Sequence, residues 1–458
     1  MSGLPTGWVW ASARELAAAG PASLTDGPFG SNLKTEHYVS EPGPRVIRLQ
    51  NIGDGVFRGK DRAFITDARF ESLRRHEALS GDLLIAALGE TLPRVCLVPA
   101  NLGRAIVKAD CFRLRPARGV NARFLQHVLN APQTRRMAST LISGVGRPRL
   151  NLSKVGDLQV PLAPTAEQDR IVAAIEVNFS RLDAGIAALE RVISRLEQIA
   201  RAVIVAAIPK DVPSNWIMST VGDAGHVQLG RQRSPRFHTG PNMHPYLRVA
   251  NVFEDRIDTS DVMAMQFSES EFHDYQVQSG DILLNEGQSP HLLGRPAMYR
   301  GNPPNVAFTN SLLRFQAGEG ISPSWALLVF RRHLHARRFM AESQITTNIA
   351  HLSAGRFKTI EFPVPPIDEQ RQIVDSVTER LSSVAFERSS AARSLVRAGH
   401  LRSSILAAAF AGKLVPQDPY DEHASVLLKR VANQRASSNG YKSTPVREPR
   451  TITTRLPV

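Results

Sequence analysis

The chain has 458 residues, of which 42% are hydrophobic and 21% charged, a composition typical of soluble globular proteins. This composition excludes wholesale disorder and a collagen-like fibre, and the presence of only two cysteines, Cys96 and Cys111, excludes a disulfide-stapled miniprotein. The formal net charge of +14 favours a polyanionic partner such as DNA, RNA or an anionic membrane surface, with a plain compositional bias toward arginine as the alternative.

The beginning of the chain predicts a cytoplasmic protein. Residues 1–20 contain no basic segment followed by an apolar one, so a signal peptide is not indicated. The apolar run at residues 202–208 is far shorter than the roughly 20 residues that a membrane span needs.

Residues 1–165 are predicted to form a first mixed α/β domain. Short apolar runs such as residues 45–49 and 82–85 lie between Gly, Pro and Asn residues, a pattern typical of strands bounded by turns. This segment carries 22 basic and 13 acidic side chains, a net charge of +9. It is therefore expected to provide the main polyanion-binding surface.

A long helix is predicted over residues 166–208, directly after the Pro-rich segment 161–164. Apolar residues recur in it in alternating steps of three and four, which indicates a coiled-coil seam of about four heptads. Such a helix would measure roughly 65 Å at 1.5 Å per residue. The seam positions are Phe179, Leu182, Ile186, Leu189, Ile193 and Leu196.

Residues 209–366 repeat the first domain in the same order, at an offset of 199 to 202 residues. The repeated features are Arg48 and Asn51 as Arg248 and Asn251, Asp82 as Asp281, and Glu167-Gln168 as Glu369-Gln370. An internal duplication and a second mixed domain are therefore predicted. The second domain has a net charge of only +1 and must depend on local basic patches.

Residues 367–435 form the next predicted segment, in which a second, looser helical pattern runs from about residue 367 to residue 411. Residues 436–458 predict a disordered basic tail because they lack periodicity. Because a globular domain separates the two helices in the chain, they are expected to pack antiparallel and cover each other's apolar stripes. The predicted fold class is α+β, with two mixed α/β domains separated by two long helices packed as an antiparallel coiled coil, related by an internal pseudo-two-fold repeat. The second helix contributes the seam positions Ile373, Val377, Leu381, Val384 and Leu395.

The sequence carries no motif of an enzyme. A G-x-x-x-x-G-K-[ST] phosphate loop and paired histidines at metal-binding spacing are both missing. Residues 302–305, Asn-Pro-Pro-Asn, resemble the Asn-Pro-Pro-aromatic motif of amino-methyltransferases, but Asn305 stands in place of the aromatic residue. We expect a turn there, and neither a metal nor a cofactor in this chain.

The whole arrangement resembles the specificity subunit of type I restriction-modification systems. Both halves close with a Pro-rich segment, Glu-Gln and a long helix. Residues 407–419 (Ala-Ala-Ala-Phe-Ala-Gly-Lys-Leu-Val-Pro-Gln-Asp-Pro) are similar to the C-terminal signature of that family. The resemblance covers residues 1–435, and it departs from the family pattern at residues 206–210, where the signature is shortened.

This resemblance implies two target recognition domains, each reading one half of a bipartite, asymmetric site in double-stranded DNA. The helices would fix the number of unspecified base pairs between the half-sites. Two methyltransferase (modification) subunits would dock on the helices and methylate adenine with S-adenosylmethionine, and a nuclease-motor subunit using ATP and Mg²⁺ would cut unmodified phage DNA. These cofactors would belong to the partners, and this chain would be non-catalytic.

Two sets of residues are predicted to face DNA, because Arg suits guanine, and Asn or Gln suits adenine, in the major groove. For the repeated set the alternative is a structural role, since an Asn-capped turn needs the same residues in both domains. For the set that differs between the halves, phosphate contact or plain solvation is the alternative. The repeated set is Arg48, Asn51, Arg248 and Asn251, and the differing set is Lys34, Arg94, Arg147, Arg149, Arg231, Arg233, Arg236, His291 and Gln344.

Three other functions stay open at this point. A stand-alone methyltransferase or nuclease would need a cofactor loop or a clustered acidic centre. A structural coiled-coil adaptor would not need two elaborate domains. A coiled-coil DNA-binding scaffold of another methyltransferase-associated defence system would share the same features.

Overall fold

The computed structural model describes residues 3–20, 22–142, 148–346 and 349–440. The chain divides into two compact units, unit 1 from residues 1–187 and 395–458 and unit 2 from residues 188–394. The divisions fall inside the two long helices, so each unit holds one mixed domain together with segments of both helices.

The first domain is built on a four-stranded antiparallel sheet, with two smaller strand pairs beside it. Its elements are β1 (Val9–Ser12), β2 (Leu24–Asp26), β3 (Arg45–Ile47), α1 (Asp67–Ser72), β4 (Leu83–Ala86), β5 (Arg94–Leu97), β6 (Ala105–Val107), β7 (Cys111–Leu114), α2 (Ala122–Asn130), α3 (Pro132–Ser139), α4 (Leu152–Gly156) and β8 (Gln159–Leu162). The sheet order is β2-β7-β4-β5, while β3 pairs in parallel with β6 and β1 pairs antiparallel with β8.

The central strand β4 is buried at all four positions, because both faces of its sheet are covered. Successive side chains of a strand point to opposite faces, and accordingly Leu83 and Ile85 pack in one hydrophobic cluster with α2, while Leu84 packs in another with the two cysteines. Both cysteines are buried and free, and they pack as small residues of this second cluster.

The second domain follows the long helix α5 (Thr165–Ala206) and contains more short strands than the first. Its elements are β9 (Ile217–Thr220), α6 (Val221–Ala224), β10 (Gly225–Leu229), β11 (Met243–Leu247), β12 (Val252–Phe253), β13 (Arg256–Ile257), β14 (Met263–Gln266), α7 (Glu269–Tyr275), β15 (Ile282–Asn285), β16 (Gly287–Gln288), β17 (Pro296–Met298), β18 (Ala307–Phe308), β19 (Leu312–Ala317), α8 (Pro323–His335), α9 (Arg338–Ala341), β20 (Gln344–Thr346), β21 (Ile349–His351), α10 (Ala354–Lys358) and β22 (Glu361–Val364).

The strand pairing confirms the internal duplication. The sheet order β10-β19-β15-β17 repeats β2-β7-β4-β5, the parallel pair β11 and β18 repeats β3 and β6, and the antiparallel pair β9 and β22 repeats β1 and β8. The second domain adds β14 beside β11, the hairpin β12–β13 and the three-stranded sheet β16-β21-β20. A shared core topology with different additions is the pattern expected of a duplicated domain that has diverged.

The second long helix, α11 (Ile367–Ala409), runs antiparallel to α5 within each unit. In unit 1, Arg402 of α11 pairs with Asp183 of α5 and its guanidinium lies 4.2 Å from the centre of the Phe179 ring. In unit 2, Arg388 lies 3.9 Å from Glu197. The side chains of the predicted seam are buried or half-buried on both helices: Phe179, Leu182, Ile186, Leu189, Ile193, Leu196, Ile373, Val377, Leu381, Val384 and Leu395.

The repeated Glu-Gln pair ties the start of each long helix to the domain before it. The indole N–H of Trp8 donates to Glu167 at 2.8 Å, and that of Trp216 donates to Glu369 at 3.0 Å. Burial raises the pKa of Glu167 above its usual value, although the bond from Trp8 opposes the shift. The glutamine of each pair is fully buried and bonds backbone groups on both sides, which explains why the pair is repeated.

A third helix, α12 (Ala424–Gly440), corrects the prediction for the C-terminus. Residues 436–440 are helical and not part of a disordered tail, while residues 441–458 lie outside the described residues. The helix is held because Leu427 and Val431 are buried in the core of the first domain, and because the amide of Ala424 donates to the carbonyl of Gly7 at 2.9 Å. Sequence periodicity alone did not reveal this packing.

Acidification is expected to destabilise unit 1 through His127 of α2, which is buried against Phe179. Burial, helped by the charges of Arg123 and Arg402, lowers the pKa of His127 to about 4. Between about pH 6.5 and 4 the unfolded chain therefore binds a proton that the folded chain does not. As the pH is lowered across this window, the free energy of unfolding decreases by on the order of 2–3 kcal/mol. Denaturant titrations at pH 7, 5.5 and 4.5 measure this loss, and a His127→Gln variant should show a shallower pH dependence than the wild type.

Candidate nucleic-acid interface

The repeated asparagines build the same loop frame in both domains. The side-chain oxygen of Asn51 accepts from the amide of Arg48 at 2.9 Å, and its amide donates to the carbonyls of Arg58 at 2.9 Å and Asp61 at 2.8 Å. Both asparagines are buried, and the polar groups of their side chains are hydrogen-bonded within the protein. Asn51 and Asn251 are therefore repeated because they stabilise the same turn in both domains, and neither side chain is available to contact a base.

In the second domain, Asn251 makes the equivalent bonds to Arg248 at 3.0 Å, Asp258 at 2.9 Å and Asp261 at 2.9 Å. The repeated arginines complete the frame, because Arg48 pairs with Asp61 and Arg248 pairs with Asp261. Both guanidinium groups remain partly exposed at the surface, and DNA contact by these two arginines stays a prediction.

The differing residues of the first domain occupy three kinds of environment. Lys34 is exposed, with its ammonium 3.6 Å from Glu36. Arg94 is half-buried and donates to the carbonyls of Ile52 at 2.6 Å and Leu49 at 3.4 Å. Arg94 therefore stabilises the segment around Asn51 from the interior of the domain. Arg295 does the same around Asn251 in the second domain, where it donates to the carbonyl of Val252 at 2.6 Å.

Arg149 is half-exposed and forms an ion pair with Asp110 at 2.7 Å. Its guanidinium lies 5.9 Å from the ring of Phe29, an exposed aromatic side chain. The combination keeps Arg149 at the surface, where it remains a candidate for DNA contact. Arg147 lies outside the described residues.

In the second domain, Arg231 is not a surface residue, because it is buried in a bidentate ion pair with Glu271. Its guanidinium lies 4.1 Å from the ring of Phe237 and 4.6 Å from that of Phe267. Such a paired and stacked arginine is part of the core, so the structure contradicts its placement at the DNA surface.

The neighbouring Arg233 and Arg236 are exposed, as is His291 in the loop between β16 and β17. The guanidinium of Arg236 stacks 4.6 Å from the ring of Phe237. Gln344 lies on β20 opposite His351, and its side chain is outside what the structure describes. These four positions remain predictions.

The two aspartates that precede buried strands are structural. The carboxylate of Asp82 caps the amide of Leu79 at 2.9 Å and accepts two bonds from Arg115, at 2.9 and 2.8 Å. Asp281 caps Gln278 in the same way, at 2.9 Å. Both aspartates therefore stabilise turns that enter buried strands. Across the described ranges there is no group of three or more metal-binding side chains, and no helix there is long and apolar enough to cross a membrane.

The loop that Asn51 holds carries three further cations that are not among the predicted DNA-facing residues. Arg58, Lys60 and Arg62 are all exposed. The signal that would have found them was available, because the duplicated segment 258–262 reads Asp-Thr-Ser-Asp-Val where residues 58–62 read Arg-Gly-Lys-Asp-Arg.

Comparisons with known proteins agree with the duplicated architecture. Residues 213–388 match the family model of the type I restriction modification DNA specificity domain. The chain is 22% identical to the type I restriction enzyme EcoKI specificity subunit of Escherichia coli K12 over 96% of this chain and 98% of that protein. The StySPI specificity subunit of Salmonella potsdam is 22% identical over the same shares of the two chains.

Solved structures support the same fold. A chain described in terms of complex assembly and conformational transition of the type I R-M system aligns with a TM-score of 0.68 at 18% identity, covering 90% of this chain and all of its own length. The HsdS subunit from Thermoanaerobacter tengcongensis aligns with a TM-score of 0.51 at 18% identity, over 90% of this chain and 98% of its own. The resemblance of this chain to type I specificity subunits is confirmed.

Proposed function

We propose that this chain is the non-catalytic DNA sequence-specificity subunit of a type I restriction-modification complex. The observation that carries the proposal is the duplicated domain, in which the same Arg–Asn frame supports loops of different sequence. Similarity to specificity subunits along almost the full chain supports the same assignment.

Two domains that share the same Arg–Asn frame but differ in their loops are suited to recognising two different short base sequences. The side chains of the shared asparagines form hydrogen bonds within the protein. Discrimination between base sequences therefore depends on exposed side chains that differ between the domains, among them Arg149 in the first domain and Arg233, Arg236 and His291 in the second. Arginine contact with the guanine edge in the major groove is the commonest sequence-specific contact between proteins and DNA. The bound site is therefore bipartite and asymmetric.

The long helices supply the surface for partner subunits. Large apolar side chains are exposed on both helices, and among them Phe386 is 67% exposed and Val396 63% exposed. Exposed apolar groups of this size favour protein contacts. Modification subunits docked there would bring S-adenosylmethionine, and a nuclease-motor subunit would bring ATP and Mg²⁺.

Deleting the gene tests the function directly. We expect a split motif of methylated adenines, mapped by single-molecule sequencing of genomic DNA, to vanish in the deletion strain and to return when the gene is restored. Purification of the tagged chain should recover a methyltransferase subunit. An unchanged set of methylated adenines, in cells where the chain and its methyltransferase are both produced, would refute the proposal.

A further inference from the structure

One loop has the same frame in both units but opposite charge. In unit 1 we call residues 58–62 the cationic loop, and in unit 2 we call residues 258–262 the acidic loop. Each is fastened by one asparagine amide that donates to the first and fourth carbonyls of the loop, at 2.8–2.9 Å in all four bonds. A backbone bond to the asparagine carbonyl, 2.8 Å in unit 1 and 2.7 Å in unit 2, fixes the first residue of each loop.

The side chains on this shared frame have diverged strongly. The cationic loop carries Arg58, Lys60 and Arg62, whereas the acidic loop carries two aspartates and no cation. The one carboxylate of the cationic loop, Asp61, is already engaged by Arg48 and Gln50. Within the described part of the chain, the three cations form no hydrogen bond or ion pair through their side chains, so their charge is directed to solvent.

The cationic loop also borders a concave surface of about 520 Å³. Arg45, Lys60 and Arg62 line it together with the rings of Phe57 and Phe64, and no carboxylate is among the described residues of its wall. The buried Nε of Arg45 has no hydrogen-bond partner in the described structure. Burial lowers the pKa of Arg45, and the positive charge of Arg62 lowers it further. A bound anion would relieve the repulsion between these two guanidinium groups.

We propose that the cationic loop of unit 1 contacts the phosphate backbone of bound DNA, and that the acidic loop of unit 2 makes no such contact. The inference rests on the proposed function, since it assigns part of the affinity for DNA to one loop of one domain. Phosphate contacts position a protein on DNA without reading its sequence. The two units therefore contribute unequally to affinity, although both contribute to specificity.

The test is the salt dependence of DNA binding by the full chain, purified with its co-expressed modification subunit, on a duplex that carries the methylated motif. Each phosphate contact contributes about −0.9 to the slope of log K against log salt. We expect the variant Arg58→Gln/Lys60→Gln/Arg62→Gln to have a shallower slope, by roughly 0.9 for each cation that pairs with a phosphate. The methylated motif should stay the same.

The matched control removes three exposed cations of the same unit that lie outside the two long helices, Arg74→Gln/Arg118→Gln/Lys429→Gln, and should keep the wild-type slope. A second variant gives the cationic loop the sequence of the acidic one, with Asp61 retained: Arg58→Asp, Gly59→Thr, Lys60→Ser and Arg62→Val. It should bind more weakly still, and folding is expected to be kept because the frame uses the backbone carbonyls of the loop and because a side chain at Gly59 meets open space.

Three outcomes would overturn the inference or its premise. A wild-type slope in both loop variants would show that the loop does not contact phosphates. A changed methylation motif in either loop variant would show that the cationic loop contacts bases. Failure of the wild-type complex to bind the duplex at any salt concentration would refute DNA binding itself, and with it the proposed function.

Discussion

Lengthening both long helices by one heptad is expected to lengthen the unspecified gap of the methylated motif by about three base pairs. Seven residues add roughly 10.5 Å at 1.5 Å per residue, and base pairs are spaced about 3.4 Å apart. The insertions belong between residues 187 and 188 in α5 and between residues 394 and 395 in α11, where the two units divide. Paired insertions keep the antiparallel contacts within each unit, such as Asp183 with Arg402.

The result is read by methylation mapping of cells that carry the lengthened gene. Three added base pairs also rotate the second half-site by about a quarter turn or more, so loss of methylation is the other outcome consistent with a ruler. The matched control carries the heptad in α5 alone, which leaves two helical turns without a facing partner and should lower stability without creating a new motif. Methylation of the original motif by the doubly lengthened protein would show that the helices do not set the gap.

The architecture was predictable because it depends on patterns that repeat. A seam in steps of three and four specifies a helix–helix contact wherever it occurs, and residues kept in register over 200 positions specify two related domains. Glu167 and Glu369 illustrate this agreement, since each receives an indole N–H at the start of a long helix. The sequence showed the repetition, and the structure supplied its reason.

The site was less predictable because exposure is a tertiary property. Arg231 and Arg233 are separated by one residue, yet the first is buried against two rings while the second is exposed. Nothing local distinguishes them, since the partner Glu271 lies 40 residues away. An asparagine suits adenine, but Asn51 is buried because its side-chain amide donates to carbonyls seven and ten residues further on.

Ending the chain after Ala409 is expected to unfold unit 1 while unit 2 stays folded. The truncation removes Phe410, whose ring lies 5.3 Å from that of Phe124, together with Leu427 and Val431, all buried in the first hydrophobic core. Burial of each such side chain contributes roughly 1.5–3 kcal/mol, so the summed loss of about 5–9 kcal/mol is comparable to the whole stability of a typical domain. The ion pair of Arg170 with Asp421, at 2.6 Å, is lost as well.

Unit 2 keeps all of its residues in the truncated protein, and Ile208, which follows α5, stays buried in its core. We therefore expect the truncated protein to lose one of two unfolding transitions in calorimetry and to lose methylation of the whole bipartite site, since both half-sites are needed. The control chain ends after Gly440 and keeps every described contact of α12, so it should methylate as the full chain does. A protein ending at Ala409 that still methylates the motif would show that the C-terminal helix is dispensable, and that the first recognition domain is stable without it.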